Sequence, residues 1–222
     1  APLYFRLHIR RYCGKNTIVI VLADHGDGMG SHRMVTKQVS FYGEMTNVPF
    51  IIAGPGIHPR QKPVEDLLTQ PTIDLLPTLC ELAGIPVPSS KPGISLAPFL
   101  KGEKQKRQHP YAASEWHSEY EVTVSPGRMI RSPRYKYTHY LEGNGEELYD
   151  MLKDKGERRN LAHDPKYSKI LAEHRALLDD YIRRTQDDYR SLKVEADKRW
   201  RSHAPGYPNH EGPCARDIIN RK

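Results

Sequence analysis

Asp24 and His25 stand side by side at the end of an apolar run, and a glycine-rich loop leads from them to His32 and Lys37. A carboxylate oxygen and an imidazole nitrogen at adjacent positions are donors for a divalent cation. Gly26, Gly28 and Gly30 let the backbone turn sharply and approach a ligand closely. His32 and Lys37 then return donors toward the same mouth, where they suit an oxyanion. The residue types and their spacing point to a site for a metal and an anion.

Such a site needs a rigid strand behind it. Ile18, Val19, Ile20, Val21 and Leu22 form an unbroken aliphatic series, which reads as a strand buried on both faces and so as a central parallel strand of an α/β sheet. Ligands collect outside the carboxyl ends of strands in such sheets. Residues 48–53 supply a second buried strand, with Pro49 restricting it to an early or edge position, and Gly54-Pro55-Gly56 ends it. Between the two strands, residues 38–47 are a short helix or an irregular connector. Ile73, Leu76, Leu79, Cys80 and Ala83 recur at helical spacing, with Asp74 as N-cap and Pro77 in the first turn; Gly84 and Pro86 stop the helix.

The motif is long enough to carry a resemblance. D-H-G-x-G-x-G-x-H-x-x-x-x-K, then Phe41-Tyr42-Gly43-Glu44 and Val48-Pro49-Phe50-Ile51-Ile52-Ala53-Gly54-Pro55-Gly56, resembles the second half of the sulfatases, within the alkaline phosphatase superfamily. The likeness continues through Ile73-Asp74-Leu75-Leu76-Pro77-Thr78-Leu79, Gly93-Ile94-Ser95-Leu96, Tyr135-Lys136-Tyr137, Glu147-Leu148-Tyr149-Asp150 and Gly156-Glu157-Arg158-Arg159-Asn160-Leu161. Ordered matches over residues 15–190 are not a chance pattern.

The resemblance implies an α/β fold: the C-terminal part of a sulfatase-like parallel sheet with helices, followed by a small antiparallel sheet and a packing helix. It implies that Asp24 and His25 ligate one divalent cation. Calcium is the first choice, although an imidazole beside the carboxylate leaves magnesium, manganese and zinc open. Lys37 would bind a sulfate oxygen and the leaving-group oxygen. His32 is either a sulfate or substrate contact or a loop residue, and Glu44 holds the loop. The plain alternatives are a loop cap for Asp24, a strand-end hydrogen bond for His25 and a surface position for Lys37.

Sulfatases attack with a formylglycine made from the cysteine or serine of C/S-x-P/A-x-R. No such motif occurs here, since Cys13, Cys80 and Cys214 all have other neighbours. The resemblance therefore implies that the formylglycine and the remaining acidic ligands lie on the N-terminal half of the same enzyme. The chain alone would be inactive. The expected reaction of the complete enzyme is hydrolysis of sulfate esters or N-sulfates on carbohydrates. A phosphodiesterase or phosphonate monoester hydrolase of the same superfamily is the rival enzyme, and a non-catalytic binding fragment is the third reading.

The rest of the chain reads as support. Residues 86–110 are rich in proline and lysine and read as a surface connection. Residues 111–114 read as a further strand, and residues 127–131, 135–141 and 147–150 read as strands of a small antiparallel sheet, with Gly143-Asn144-Gly145 as a hairpin turn. Asp164-Pro165 opens a helix whose Tyr167, Ile170, Leu171, His174, Leu177, Leu178, Tyr181 and Ile182 form one apolar stripe able to cover that sheet. On that stripe His174 reads as a satisfied core histidine. Glu115, Trp116, His117 and Arg128 lie on connections that could face a sugar. The divisions expected are residues 1–105 in the catalytic α/β domain, 106–190 in the antiparallel subdomain and 191–222 as a polar extension, draped or partly disordered. Residues 1–16 fit a strand or a helix equally.

The 222 residues carry 34 Lys and Arg against 27 Asp and Glu, a formal net charge of +7. That excess is a solvated basic surface or an attraction for an anionic glycan. The basic residues are scattered among acids with no helix-turn-helix or zinc-finger pattern, so no nucleic-acid partner is expected. No apolar run is long enough to span a membrane. Three cysteines far apart make no disulfide framework. With neither an N-terminal methionine nor a signal peptide the sequence reads as a mature piece or fragment, and only the resemblance suggests a periplasmic, secreted or lysosomal-type compartment.

Overall fold

The computed structural model describes residues 15–34, 40–60, 64, 67–89, 92–103, 109–116, 126–141 and 145–192. In chain order the elements are β1 (Val19–Leu22), α1 (Gly43–Thr46), β2 (Phe50–Ala53), α2 (Pro71–Leu82) and α3 (Ala97–Leu100). They continue with β3 (Ala112–Trp116), β4 (Gly127–Arg131), β5 (Tyr135–Tyr140), β6 (Gly145–Asp150) and α4 (Ser168–Thr185). Two units are distinguished: Ala1–Asp24 with Val48–Pro110, and His25–Asn47 with Tyr111–Lys222.

In the first unit β1 pairs with β2, Val19 opposite Ala53 and Leu22 opposite Phe50. The pairing is antiparallel, whereas the aliphatic run of β1 predicts a central parallel strand. β1 is also half-buried rather than covered on both faces, with Leu22 39% exposed. A short aliphatic run records hydrophobicity; it does not record the direction of its neighbour. Pro49 lies just ahead of β2, where its missing N–H costs no ladder bond.

α2 begins earlier than its sequence suggests, at Pro71, with Gln70 as N-cap. Asp74 therefore caps from inside the helix: its Oδ2 accepts from the Gln70 N–H at 2.7 Å, while Oδ1 accepts from the Ile94 N–H at 2.8 Å and meets His109 Nε2 at 3.0 Å. Pro77 falls in the second turn, not the first. The segment read as a surface connection is tied down through Ile94 and through the Leu96 N–H, which donates to Thr78 Oγ1 at 2.9 Å, and it includes the short α3 with buried Ala97.

The second unit is built on a four-stranded antiparallel meander in the order β3-β4-β5-β6. Period-2 alternation sends Ile130, Tyr137 and Leu148 to one face, where Leu171 and Leu178 of α4 close a core with Tyr111 and Leu161. The apolar stripe of α4 covers the sheet, as its spacing predicts. Asp164 caps the entry by accepting from the Lys166 N–H at 3.1 Å, with Pro165 opening the turn. Gly143 and Asn144 lie outside the described residues, as do residues 1–14 and 193–222; Tyr140 opposite Gly145 marks the flanks of the hairpin.

His174 is a satisfied core histidine. Its Nδ1–H donates to the Ile170 carbonyl at 2.8 Å, and Nε2 accepts from the Ser132 hydroxyl at 2.8 Å. Burial pushes its pKa below the ordinary value, so the ring stays neutral.

Candidate functional site

The opposite face of the meander carries Met129, Lys136, Thr138, Tyr140, Glu147 and Tyr149. Met34 and residues of segment 40–46 pack on it. Phe41 meets Tyr140 with ring centroids 5.8 Å apart, and Tyr42 meets Tyr149 at 6.3 Å. Met34, Tyr42, Met45 and Tyr149 make one small apolar cluster, while Phe41, Met129 and Tyr140 make another. Burial, reinforced by the Glu147 carboxylate, raises the pKa of Tyr42, Tyr140 and Tyr149, so the three phenols remain neutral under the loop. The glycine-rich loop is thus held by the C-terminal sheet.

The loop itself is tightly wound. Its backbone bonds run from Gly30 N–H to Met34 O at 2.7 Å, from Ser31 N–H to Gly28 O at 2.7 Å and from Met34 N–H to Ser31 O at 2.8 Å. Met29, His32 and Arg33 all hold positive φ, at 45°, 48° and 61°. For non-glycine residues each such conformation costs on the order of 1–3 kcal/mol and persists only where the surroundings enforce it. Gly26 is required by contact: a Cβ there would stand 1.7 Å from the Glu44 carbonyl oxygen, and its N–H donates to Met45 O at 2.9 Å.

Asp24 is exposed at the end of β1. His25 is exposed beside it, and its Nδ1 lies 2.7 Å from the Gly26 carbonyl. A carbonyl only accepts, so that nitrogen carries the proton and the lone pair of the neutral ring falls on Nε2. This tautomer suits Nε2 as a metal ligand, and the carboxylate of Asp24 suits the same role. Among the described residues no group of three or more His, Cys, Asp and Glu side chains gathers to hold an ion. Each residue by itself offers one donor of the kind a divalent cation takes.

His32 is placed with care. Its ring stacks on Tyr42, centroids 3.7 Å apart and planes 3° from parallel, and its side chain is only 15% exposed. Nε2 lies 3.8 Å from Glu44 Oε2. Burial opposes ionisation of Glu44, but its own backbone N–H, the Ser31 hydroxyl, His32 and Lys136 outweigh it and hold the carboxyl below its ordinary value. Glu44 therefore faces the loop as a carboxylate. Lys37 lies outside the described residues.

Two residues that the sequence shows only as members of family motifs, with no role, matter here. Lys136 of β5 and Glu157 form an ion pair with side chains 3% and 1% exposed, and Glu157 Oε1 accepts from the Gly43 N–H at 2.7 Å. Burial is the largest influence on Lys136 and lowers its pKa, against the attraction of Glu157. The available signal was a lysine between two tyrosines in a strand, which alternation alone reads as solvent-facing. Arg128, in contrast, is spent on structure: Nε and Nη2 grip Asp187 at 2.6 and 2.8 Å, Nη1 donates to the Trp116 and Gly127 carbonyls, and the guanidinium lies over Tyr189. Glu115 accepts from the Tyr181 hydroxyl at 2.7 Å, and His117 lies outside the described residues.

Residues 30–184 match the family described as N-sulphoglucosamine sulphohydrolase, C-terminal. The chain belongs to the sulfatase family. It is 76% identical over 209 residues to the Delta 4,5-hexuronate-2-O-sulfatase of Bacteroides thetaiotaomicron, covering 94% of this chain and 44% of that relative. A solved structure of a 2-O GAG sulfatase matches with TM-score 0.81 and 77% identity, over 92% of this chain and 44% of the other. A second, solved with D-glucosamine-2-N,6-O-disulfate as its substrate, matches with TM-score 0.74 and 25% identity, over 86% and 40%. The chain thus spans less than half the length of these sulfatases. With its mixed α/β elements and antiparallel sheets, it has the fold of their C-terminal part.

Proposed function

We propose that this chain forms the C-terminal part of a carbohydrate sulfatase whose complete form removes the 2-O-sulfate from an unsaturated hexuronate. The 76% identity to the Delta 4,5-hexuronate-2-O-sulfatase over 94% of the chain carries this reading. The tautomer of His25 and the exposed carboxylate of Asp24 support their assignment as ligands of a divalent cation, calcium first by family resemblance. Such a cation, when bound, neutralises sulfate charge and lends Lewis acidity to the site.

The chain's own residues do the rest. Lys37 donates to a sulfate oxygen and to the oxygen of the departing sugar, so that negative charge developing there meets a cation. His32, held flat by Tyr42 and backed by Glu44, donates to the sulfate or the sugar from a preset position. The remaining ligands and the formylglycine nucleophile are assigned to the N-terminal half of the same enzyme. Apolar side chains exposed in the first unit, Ile51, Leu76, Leu79, Ile85 and Val87, support a partner of that kind.

The test is sulfate release by the full-length enzyme from an unsaturated 2-O-sulfated uronide disaccharide, with N-sulfated glucosamine and phenylphosphonate as competing substrates. Release from the 2-O-sulfate is the expected result. Turnover of phenylphosphonate without any sulfate release would replace this reading by the phosphonate hydrolase.

A further inference from the structure

We propose that the buried Lys136–Glu157 pair is a positioning device for the catalytic loop, setting the N-terminus of α1 so that α1 clamps the loop bearing His25 and His32. The inference rests on the sulfatase reading of that loop. It begins from a pair that stability alone does not call for. Two charges withdrawn from water this far are costly, and apolar side chains of similar volume serve a core as well or better.

What the pair supplies that apolar groups cannot is an acceptor of fixed position. Lys136 Nζ meets Glu157 Oε1 at 2.8 Å in hydrogen-bond geometry and Oε2 at 2.7 Å as an ionic contact alone. Oε1 carries a second donor, the Gly43 N–H at 2.7 Å, and a Cβ on Gly43 would stand 3.1 Å from it. Gly43 is the first residue of α1. Glu157 itself holds φ at 50° with its backbone N–H bound to Asp154 O at 3.1 Å, so the carboxylate is aimed from both ends.

α1 in turn meets the loop through several of its groups. Met45 O accepts the Gly26 N–H at 2.9 Å, next to His25. Glu44 faces His32 at 3.8 Å, and Tyr42, the N-cap of α1, lies flat against the His32 ring at 3.7 Å. A shift of Gly43 therefore moves Met45, Glu44 and Tyr42, which contact the loop at Gly26, beside His25, and at His32. Among the described residues the pair meets the loop through Gly43 of α1, and both are positioning residues.

The experiment uses the full-length enzyme and three variants: Lys136→Met, the double variant Lys136→Met with Glu157→Met, and Glu157→Asp. Thermal stability, amide hydrogen exchange at Gly26 and Gly43, and kcat and KM on the 2-O-sulfated disaccharide are measured together. The double variant is expected to regain most of the Tm lost by Lys136→Met, because no buried charge is left unpaired. Its Gly26 and Gly43 amides should still exchange faster, and kcat should remain down by roughly tenfold or more with KM little changed, as misplacement of catalytic groups produces. Glu157→Asp keeps the charge and tolerates the positive φ but withdraws the carboxylate from Gly43, and is expected to show the same exchange and kcat signature if the double variant does not fold. Parent-level exchange at Gly26 and Gly43, or kcat recovering along with Tm, would overturn the positioning role. A parent enzyme that releases no sulfate would refute the sulfatase reading instead, while the exchange data would still judge whether the pair holds the loop.

Discussion

The ring of His32 lies parallel to that of Tyr42, 3.7 Å away and tilted by 3°, although His32 sits in a left-handed backbone conformation at φ 48°. The stacking surface is part of what keeps that conformation in place. Tyr42 is itself buried and backed by Tyr149.

Tyr42→Leu should therefore release His32 while keeping an apolar side chain beneath the loop. Loss of the ring pair is worth about 0.5–1.5 kcal/mol. Turnover by the full-length enzyme should fall by roughly tenfold to a hundredfold, since small misplacements of catalytic groups have effects of that size. Denaturant melts and steady-state kinetics check the two parts; unchanged kcat in Tyr42→Leu would separate His32 from the chemistry.

Asp24→Ala and His25→Ala should each lower bound metal in the purified full-length enzyme, measured by elemental mass spectrometry, and each should lower turnover by roughly a hundredfold or more. Chelation should mimic the substitutions in the parent enzyme. Calcium should restore activity more fully than magnesium, manganese or zinc. Lys37→Ala should match the loss of turnover but leave the metal content at the parent level.

The depressed pKa of His174 makes folding sensitive to acid. The unfolded chain titrates near the ordinary 6.5, while the buried ring titrates lower, so below about 6.5 the unfolded state binds more protons than the folded one. Stability is complete above that pH and falls as the pH drops toward the folded-state value. His174→Gln should flatten this part of the stability profile, as followed by denaturant midpoints from pH 7.5 down to 5. An identical slope in both proteins would assign the acid sensitivity to other groups.

Asp187→Ala should destabilise the fold by about 3–5 kcal/mol, because it removes the bidentate carboxylate from an Arg128 side chain only 4% exposed and leaves it the weaker contact to Glu115 at 3.9 Å. Well below the melting temperature kcat and KM should stay near the parent values. Arg128 would then be confirmed as a strut of the meander. A large rise in KM without loss of stability would return it to the substrate pocket.

Much of this protein is legible in its sequence because the signals are local. Residues 168–185 announce a helix through a stripe repeating every three to four positions, and Asp164-Pro165 marks its start. The aliphatic run ending in Asp24-His25-Gly26 marks a strand that delivers donors to a loop, and the ordered motifs carry the sulfatase family. What the sequence did not contain were relations between distant segments. The antiparallel pairing of β1 with β2, the reach of Asp74 to Ile94 and His109, and the bond from Gly43 to Glu157, 114 residues apart, depend on where the backbone brings groups together. Periodicity gives the face a side chain points to, but not what covers that face. For this reason the sequence leaves Arg128 on a connection that could face a sugar and gives Lys136 no role, and only the tertiary structure makes them buried, paired cations.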